Sequence, residues 1–244
     1  MTGFALGTSL VLSACSLVTY FKSGKPAGGG KRSYRKVFAV YAVITVLAAI
    51  AVRVFQQQRP DELFYGAGLK FTASLPPFLY ALKGCQLQKT RFGLYILLAI
   101  VPGMFADIAI NIGFAVGGVF FLVGHLLYDF AFQNDRRPSR KQVLLWLALS
   151  VLMILPVFLF REKIGSTLTA VGTLIYISIL ISTVVFSFRL DKMIFTAAVI
   201  FALSDCFMIC NIVTNGPMLL RILALLVYYG SLLLYGAVLW KRAQ

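Results

Sequence analysis

The chain has 244 residues, 60% of them hydrophobic and only 13% charged, with a mean hydropathy of +0.88. Soluble globular chains carry roughly twice that share of charge, so a soluble enzyme, a disordered chain and a secreted disulfide scaffold are excluded. A polytopic membrane protein is indicated. Lys and Arg number 23 against 8 Asp and Glu, a formal net charge of +15. In a soluble protein that excess would point to nucleic acid; in a membrane protein it first has to be tested as loop topology.

A hydrocarbon core of about 30 Å takes roughly 20 apolar residues per helix. In chain order the sequence predicts spans at 3–21, 37–55, 64–83, 92–113, 114–133, 142–160, 166–188, 193–213 and 217–240. The third is the least apolar, since it holds Lys70 and the pair Pro76-Pro77. The fourth and fifth run together, with Gly113 and Gly117-Gly118 as the turn signals, and the ninth follows the turn tetrapeptide Thr214-Asn215-Gly216-Pro217. The expected fold is all-α, a polytopic transmembrane helical bundle of about nine helices forming a single domain over 1–244.

With an outside N-terminus, the alternate loops 22–36, 83–91, 134–141 and 189–192 and the C-terminal tail are cytoplasmic, and they hold seventeen of the basic residues. Arg59, Arg161 and Lys163 fall outside, and Arg53, Lys70 and Arg221 within spans. That asymmetry is a positive-inside signal, so the net charge is topology and nucleic acid is dropped as a partner. The C-terminus is expected in the cytoplasm. Leu12-Ser13-Ala14-Cys15 resembles a lipoprotein cleavage box, but no Lys or Arg precedes it, and the first span is read as a retained helix. Gly28-Gly29-Gly30 before Lys31-Arg32 has no preceding strand and no GK[ST], so it reads as a basic linker against anionic headgroups rather than a phosphate loop. Cys15, Cys85, Cys206 and Cys210 show no CxxC spacing, and with a single histidine no metal site is expected. No GxSxG elbow is present.

An ionisable side chain inside a span is costly, on the order of 2.5–3.5 kcal/mol on insertion scales, and marks a functional candidate. Asp107 in the fourth span and Asp205 in the eighth fall at matched depths in the outer half, and Lys70 and Arg221 enter from the same side. One reading is a single polar pocket. The other is a pair of intramembrane salt bridges, each cation with one aspartate, with Arg221 snorkelling to the interface. Two acids sharing a low-dielectric site divide into one neutral and one ionised carboxyl, the arrangement acid–base hydrolysis uses.

Helical spacing adds neighbours. Asn111 follows Asp107 at i+4, and His125, Tyr128 and Asp129 sit at i, i+3 and i+4, a His–Asp spacing that fits a structural pair as well as a catalytic one. Ser204 and Asn211 share a stripe beside Asp205, and Tyr228 follows Arg221 by seven residues on one face. Asp129, near the cytoplasmic end, is left out of the pocket. Asp107…Asn111…Tyr128 and Asp205…Asn211…Tyr228 form a weak parallel repeat, compatible with a four-plus-four duplication.

At these residues the chain resembles the YhhN-like lysoplasmalogenase family of multi-spanning membrane proteins. The resemblance rests on Phe105-Ala106-Asp107, on Gly124-His125-Leu126-Leu127-Tyr128, on Leu203-Ser204-Asp205 through Asn211, and on Tyr228-Tyr229, with Lys70 and Pro76-Pro77 similar to a Lys-Pro block. It covers roughly 64–240. The resemblance implies eight family helices within 37–240, with 3–21 as an extra N-terminal span. Ala106 stands where the family has glycine.

The resemblance further implies a membrane-embedded enzyme that hydrolyses the vinyl-ether bond of lysoplasmalogens to a fatty aldehyde and a glycerophospho-headgroup, with no cofactor. A vinyl ether cleaves by protonation on carbon, and water captures the resulting oxocarbenium ion. Asp107 and Asp205 would serve as proton donor and stabilising carboxylate. Lys70 and Arg221 would hold the substrate phosphate, and Asn111, His125, Tyr128, Ser204, Asn211 and Tyr228 would line the substrate site. The expected partners are a lysophospholipid and the bilayer, with a bacterial cell membrane favoured over the endoplasmic reticulum. A small-molecule or proton-coupled transporter, which also places paired acids in the membrane and shows repeats, and an inactive lipid-binding protein remain open alternatives.

Overall fold

A computed structural model of the protein describes residues 2–23, 32–58, 63–164, 166–214 and 216–243. The glycine-rich linker 28–30, Lys25, Lys31 and Arg59 lie outside the described residues. The described chain is helical throughout: α1 (Thr2–Lys22), α2 (Arg32–Gln58), α3 (Leu63–Gln88), α4 (Arg91–Ala109), α5 (Phe114–Asp135), α6 (Arg140–Leu152), α7 (Ile154–Leu159), α8 (Arg161–Ile164), α9 (Thr167–Ser187), α10 (Lys192–Thr214) and α11 (Met218–Arg242).

Eight stretches are long and apolar enough to cross a membrane: α1, α2, α4, α5, the α6–α7 pair, α9, α10 and α11. The remaining long helix, α3, has 26 residues and so reaches about 39 Å at 1.5 Å per residue. It packs against α1, α2, α4 and α11. A helix shielded from lipid on most sides need not be uniformly apolar, which explains how α3 carries Lys70, Thr72 and Ser74 buried in its first half. The protein is a multi-pass membrane helical bundle.

Capping marks the starts of the better-defined helices. Thr90 accepts from the Gly93 N–H at 3.1 Å before α4, and Ser139 forms a capping box with Gln142 before α6. Two boundaries differ from the sequence expectation. The span at 142–160 is interrupted at Met153, because Pro156 has no N–H to give the Leu152 carbonyl and its ring crowds that turn. The fourth span stops at Ala109 rather than 113. Gly113 is the extended residue before α5, whereas Gly117, expected as a turn signal, is helical and lies against Ile110.

The core centres on α3 and α11. A Cβ on Gly84 would sit 2.8 Å from Leu239 Cβ, and one on Gly236 would sit 2.8 Å from the Tyr80 ring. These two glycines let the helices cross nearly backbone to backbone, the small-residue packing that replaces hydrophobic drive inside lipid. Across the same contact the Trp240 indole N–H donates to the Tyr80 carbonyl at 2.8 Å.

The two ends of the bundle differ in charge. One end carries the α3–α4, α5–α6 and α9–α10 junctions and the end of α11, with Arg136, Arg140, Lys192, Lys241 and their basic neighbours. It is tied by a bidentate Arg242–Asp135 pair, both contacts 2.9 Å, and by Lys241–Asp191 at 2.8 Å. The opposite end, called here the far end, carries the end of α2, the start of α3, the α4–α5 turn and the α10–α11 turn.

Candidate functional site

The α4–α5 turn is recessed from the far end. Lys70 lies seven residues into α3, about 10 Å along it, and its ammonium donates to Asn111 Oδ1 in that turn at 3.0 Å. Asn111 was expected on the helical face below Asp107; it sits instead just past the end of α4. From there its amide donates to the Asp107 and Ile108 carbonyls at 3.2 and 3.3 Å, closing the last turn. The helix ends there because Asn111 satisfies carbonyls that another turn would otherwise have satisfied. The consequence is that Asp107, near the end of α4, still lies deep in the bundle with 4% exposure.

Asp107 is held by α11 and α3. The Tyr229 hydroxyl lies 3.3 Å from Asp107 Oδ2 and 3.3 Å from the Lys70 carbonyl, so its one proton serves two acceptors. Ser74 also faces the carboxyl. Ala106, where the resembled family has glycine, is fully buried and its methyl is accommodated in the core.

Asp205 is equally buried at 4%, and the Tyr176 hydroxyl of α9 donates to its Oδ2 at 2.5 Å. Ser204 is buried beside it. The next buried group is Tyr228 of α11. Its ring packs edge-on against Phe121 and Phe201 and tilts against Tyr229 at 4.8 Å, and both Asp107 and Asp205 are electrostatic neighbours of its phenol. The hydroxyl occupies the space over Gly103, where a Cβ would lie 2.8 Å away. It has no hydrogen-bond partner among the described residues.

His125 stands in an aromatic cage, its ring 4.5 Å from Phe201 and 5.7 Å from Tyr176. Neither ring nitrogen has a partner among the described residues. The His125–Asp129 pair suggested by i, i+4 spacing does not form. Asp129 instead accepts from Ser182 of α9 and is itself buried, so a third carboxyl lies inside the bundle. Tyr128 stacks on Tyr235 at 4.2 Å, on the basic-end side of His125.

The expected salt bridges do not form either. Among the described residues neither Lys70 nor Arg221 pairs with a carboxylate. Arg221 donates through Nε to Asn211 Oδ1 at 3.0 Å, just as Lys70 donates to Asn111. Arg53, which the sequence marked only as a basic residue within a span, does the same toward Gln56 Oε1 at 2.9 Å. It has Asp107, Tyr229 and Arg221 as electrostatic neighbours. Sequence reading also passed over Tyr176 and Ser74, and named Tyr229 only within the Tyr228-Tyr229 pair of the resemblance. Among 11 tyrosines no spacing rule singles out two, because their partners come from other helices.

Fold and site together define a multi-pass helical membrane protein with two buried aspartates, each hydrogen-bonded to its own tyrosine. Comparison with protein families matches residues 65–238 to the YhhN family, and the chain belongs to that family. The matched stretch contains every one of these site groups except Arg53 and Gln56, which lie on α2. Comparison with curated proteins and with solved structures found no match.

Proposed function

We propose that the protein hydrolyses the vinyl-ether bond of lysoplasmalogens, releasing a fatty aldehyde and a glycerophospho-headgroup. The observation that carries this reading is that two buried aspartates, Asp107 and Asp205, are both electrostatic neighbours of the Tyr228 phenol, in a chain of the YhhN family. Cleavage begins with a proton delivered to the vinyl carbon distal to oxygen. A neutral carboxyl supplies it and becomes carboxylate, while the second, ionised carboxyl steadies the oxocarbenium ion. Water adds to the carbon bonded to oxygen and gives its proton back to the carboxylate that donated one, and the hemiacetal collapses to aldehyde and alcohol. Atoms balance with one water consumed and no net proton. The two carboxyls have different surroundings, Asp107 beside cations and Asp205 beside a phenol, which is how paired acids acquire separate roles.

Lys70 and Arg221, at the far end, hold the substrate phosphate, and the acyl-like chain extends toward Phe121, Phe201 and His125. The basic end faces the cytoplasm of a bacterial cell and the far end faces outward, in keeping with the basic-loop asymmetry. Purified protein given a vinyl-ether lysolipid should release aldehyde; absence of aldehyde with folded protein overturns the assignment. A proton-coupled carrier is the second reading. The third buried carboxyl, Asp129, toward the opposite end favours it, and substrate uptake into vesicles without cleavage would select it.

A further inference from the structure

Five buried side chains carry polar atoms that nothing among the described residues satisfies. Neither ring nitrogen of His125, nor the hydroxyls of Tyr128, Tyr228 and Tyr235, nor Asp129 Oδ1 has a hydrogen-bond partner there. Ser182 takes only the other carboxyl oxygen of Asp129. These groups are stacked along the bundle. At 1.5 Å per residue from the basic ends of their helices, Asp129 lies about 9 Å deep, Tyr128 and Tyr235 about 10 Å, His125 about 15 Å and Tyr228 about 21 Å. Asp205 stands at the last of these levels, about 20 Å deep.

Each member neighbours the next. Asp129 and Tyr128 are electrostatic neighbours of the Tyr235 phenol, and the Tyr128 and Tyr235 rings stack at 4.2 Å. Tyr128 in turn neighbours the Tyr228 phenol, which also neighbours Asp107 and Asp205. A second branch passes through His125, whose ring lies 6.2 Å from Tyr128 and 5.7 Å from Tyr176, the phenol bonded to Asp205. A buried polar atom without a partner is costly, and nearly all such atoms are met by protein or by ordered water. Hydrocarbon cannot meet them. A phenol donates and accepts, a neutral imidazole does one of each and a carboxylate oxygen accepts, so water can bridge every link. Asp129 keeps 7% exposure, whereas His125 and Tyr128 keep 1% and Tyr235 none. The column therefore opens at Asp129, on the basic side.

We propose that Asp129, Tyr235, Tyr128 and His125 hold a water path from the basic end of the bundle to the Asp107–Asp205 pair, with Asp129 at its mouth. The use of the path rests on the hydrolase reading above; its presence does not. Each turnover consumes one water, and a lysolipid seated at the far end covers the approach to the acids from that side. A polar path from the opposite end replaces the spent water without moving the lipid. No proton has to travel along it, since the carboxylate that donated one receives it back.

The test is hydroxyl-radical footprinting by brief X-ray exposure of the full-length protein in nanodiscs, with no substrate added. Radicals form from water where it lies and oxidise the side chain beside it. Tyr128 and Tyr235 should be oxidised several-fold faster than Tyr41, which is as deeply buried but whose hydroxyl donates to the Ser16 carbonyl at 3.3 Å. Equal rates overturn the proposal. Asp129→Leu removes the polar mouth and should bring both tyrosines down to the Tyr41 rate. Asp129→Asn, whose amide still binds water and Ser182, should not. Unchanged rates in Asp129→Leu overturn the proposal. If that variant does not fold, Tyr235→Phe keeps the ring stack and removes one water anchor; it should slow oxidation of Tyr128, and an unchanged rate overturns the path equally. With a vinyl-ether lysolipid, Asp129→Leu should lower kcat several-fold and leave KM unchanged, because the lipid binds from the far end. An unchanged kcat overturns the supply role. Rapid oxidation without aldehyde release sinks the hydrolase alone, and aldehyde release without it sinks the path alone.

Discussion

The Tyr229 hydroxyl bridges Asp107 Oδ2 and the Lys70 carbonyl, both at 3.3 Å, across a sequence separation of 122 residues in the first case. One phenol thereby ties α11 to both α3 and α4 at the point where the acid and its neighbouring cation enter the bundle. Tyr176 does the corresponding job for Asp205 from α9. Each candidate carboxyl thus has its own tyrosine, and Tyr228 is an electrostatic neighbour of both.

Asp107→Asn and Asp205→Asn should each reduce aldehyde release by at least 10²-fold, the lower bound of a general acid or base contribution of roughly 10²–10⁴. The double variant should be no worse than the weaker single one, because the two act on one transition state. Steady-state aldehyde assays on folded protein check this; additive losses would separate the two residues.

Removing only the phenolic hydroxyls is a milder test. Tyr176→Phe and Tyr229→Phe each delete one hydrogen bond to a carboxyl, so kcat should fall about tenfold or somewhat more. KM should stay within a factor of a few, since neither tyrosine bonds a cation side chain. A rise in KM alone would place them in binding instead.

The α3–α11 crossing should tolerate no side chain larger than hydrogen. Gly236→Val places a branched Cβ within contact of the Tyr80 ring and the Ala81 backbone, and overpacking of this kind costs about 1–3 kcal/mol. Thermal melting in detergent should show the loss. Gly230→Ala, whose Cβ would meet nothing within 4 Å, should melt as the parent does.

Asp191, in the α9–α10 turn at the basic end, gives a pH signature outside the membrane spans. Partial burial works to raise its carboxyl, but the Lys241 ammonium and the Met193 N–H outweigh it and hold the group below the ordinary carboxylate value. A depressed carboxyl contributes stability that is present above the unfolded value near 4 and lost as pH falls through the folded one. Melting temperature followed from pH 6 down to about 3 should therefore fall less steeply in Asp191→Asn than in the parent.

Labelling would check the orientation. Single cysteines introduced at Gln133 and Lys241, in a background without the native four, should react with a membrane-impermeant reagent only after cells are opened. A cysteine at Arg161 should react from outside. The opposite pattern would invert the bundle.

The sequence by itself determined the class, because burying this much apolar surface with so little charge leaves a membrane bundle as the stable arrangement. It also placed most helix ends within a few residues and singled out Asp107 and Asp205, since a carboxyl among apolar neighbours is visible without any partner. It misplaced Asn111 and the end of α4, where a side chain caps the backbone and stops a pattern that hydropathy would continue. It paired His125 with Asp129 by spacing, but an α9 hydroxyl reaches Asp129 and an aromatic cage takes His125. Only tertiary structure decided that Lys70, Arg221 and Arg53 are held by amides rather than aspartates, and that Tyr176 and Tyr229 are the tyrosines on the acids. Those contacts join residues from separate helices, and helix packing angles and depths fix them; one-dimensional periodicity carries no record of either.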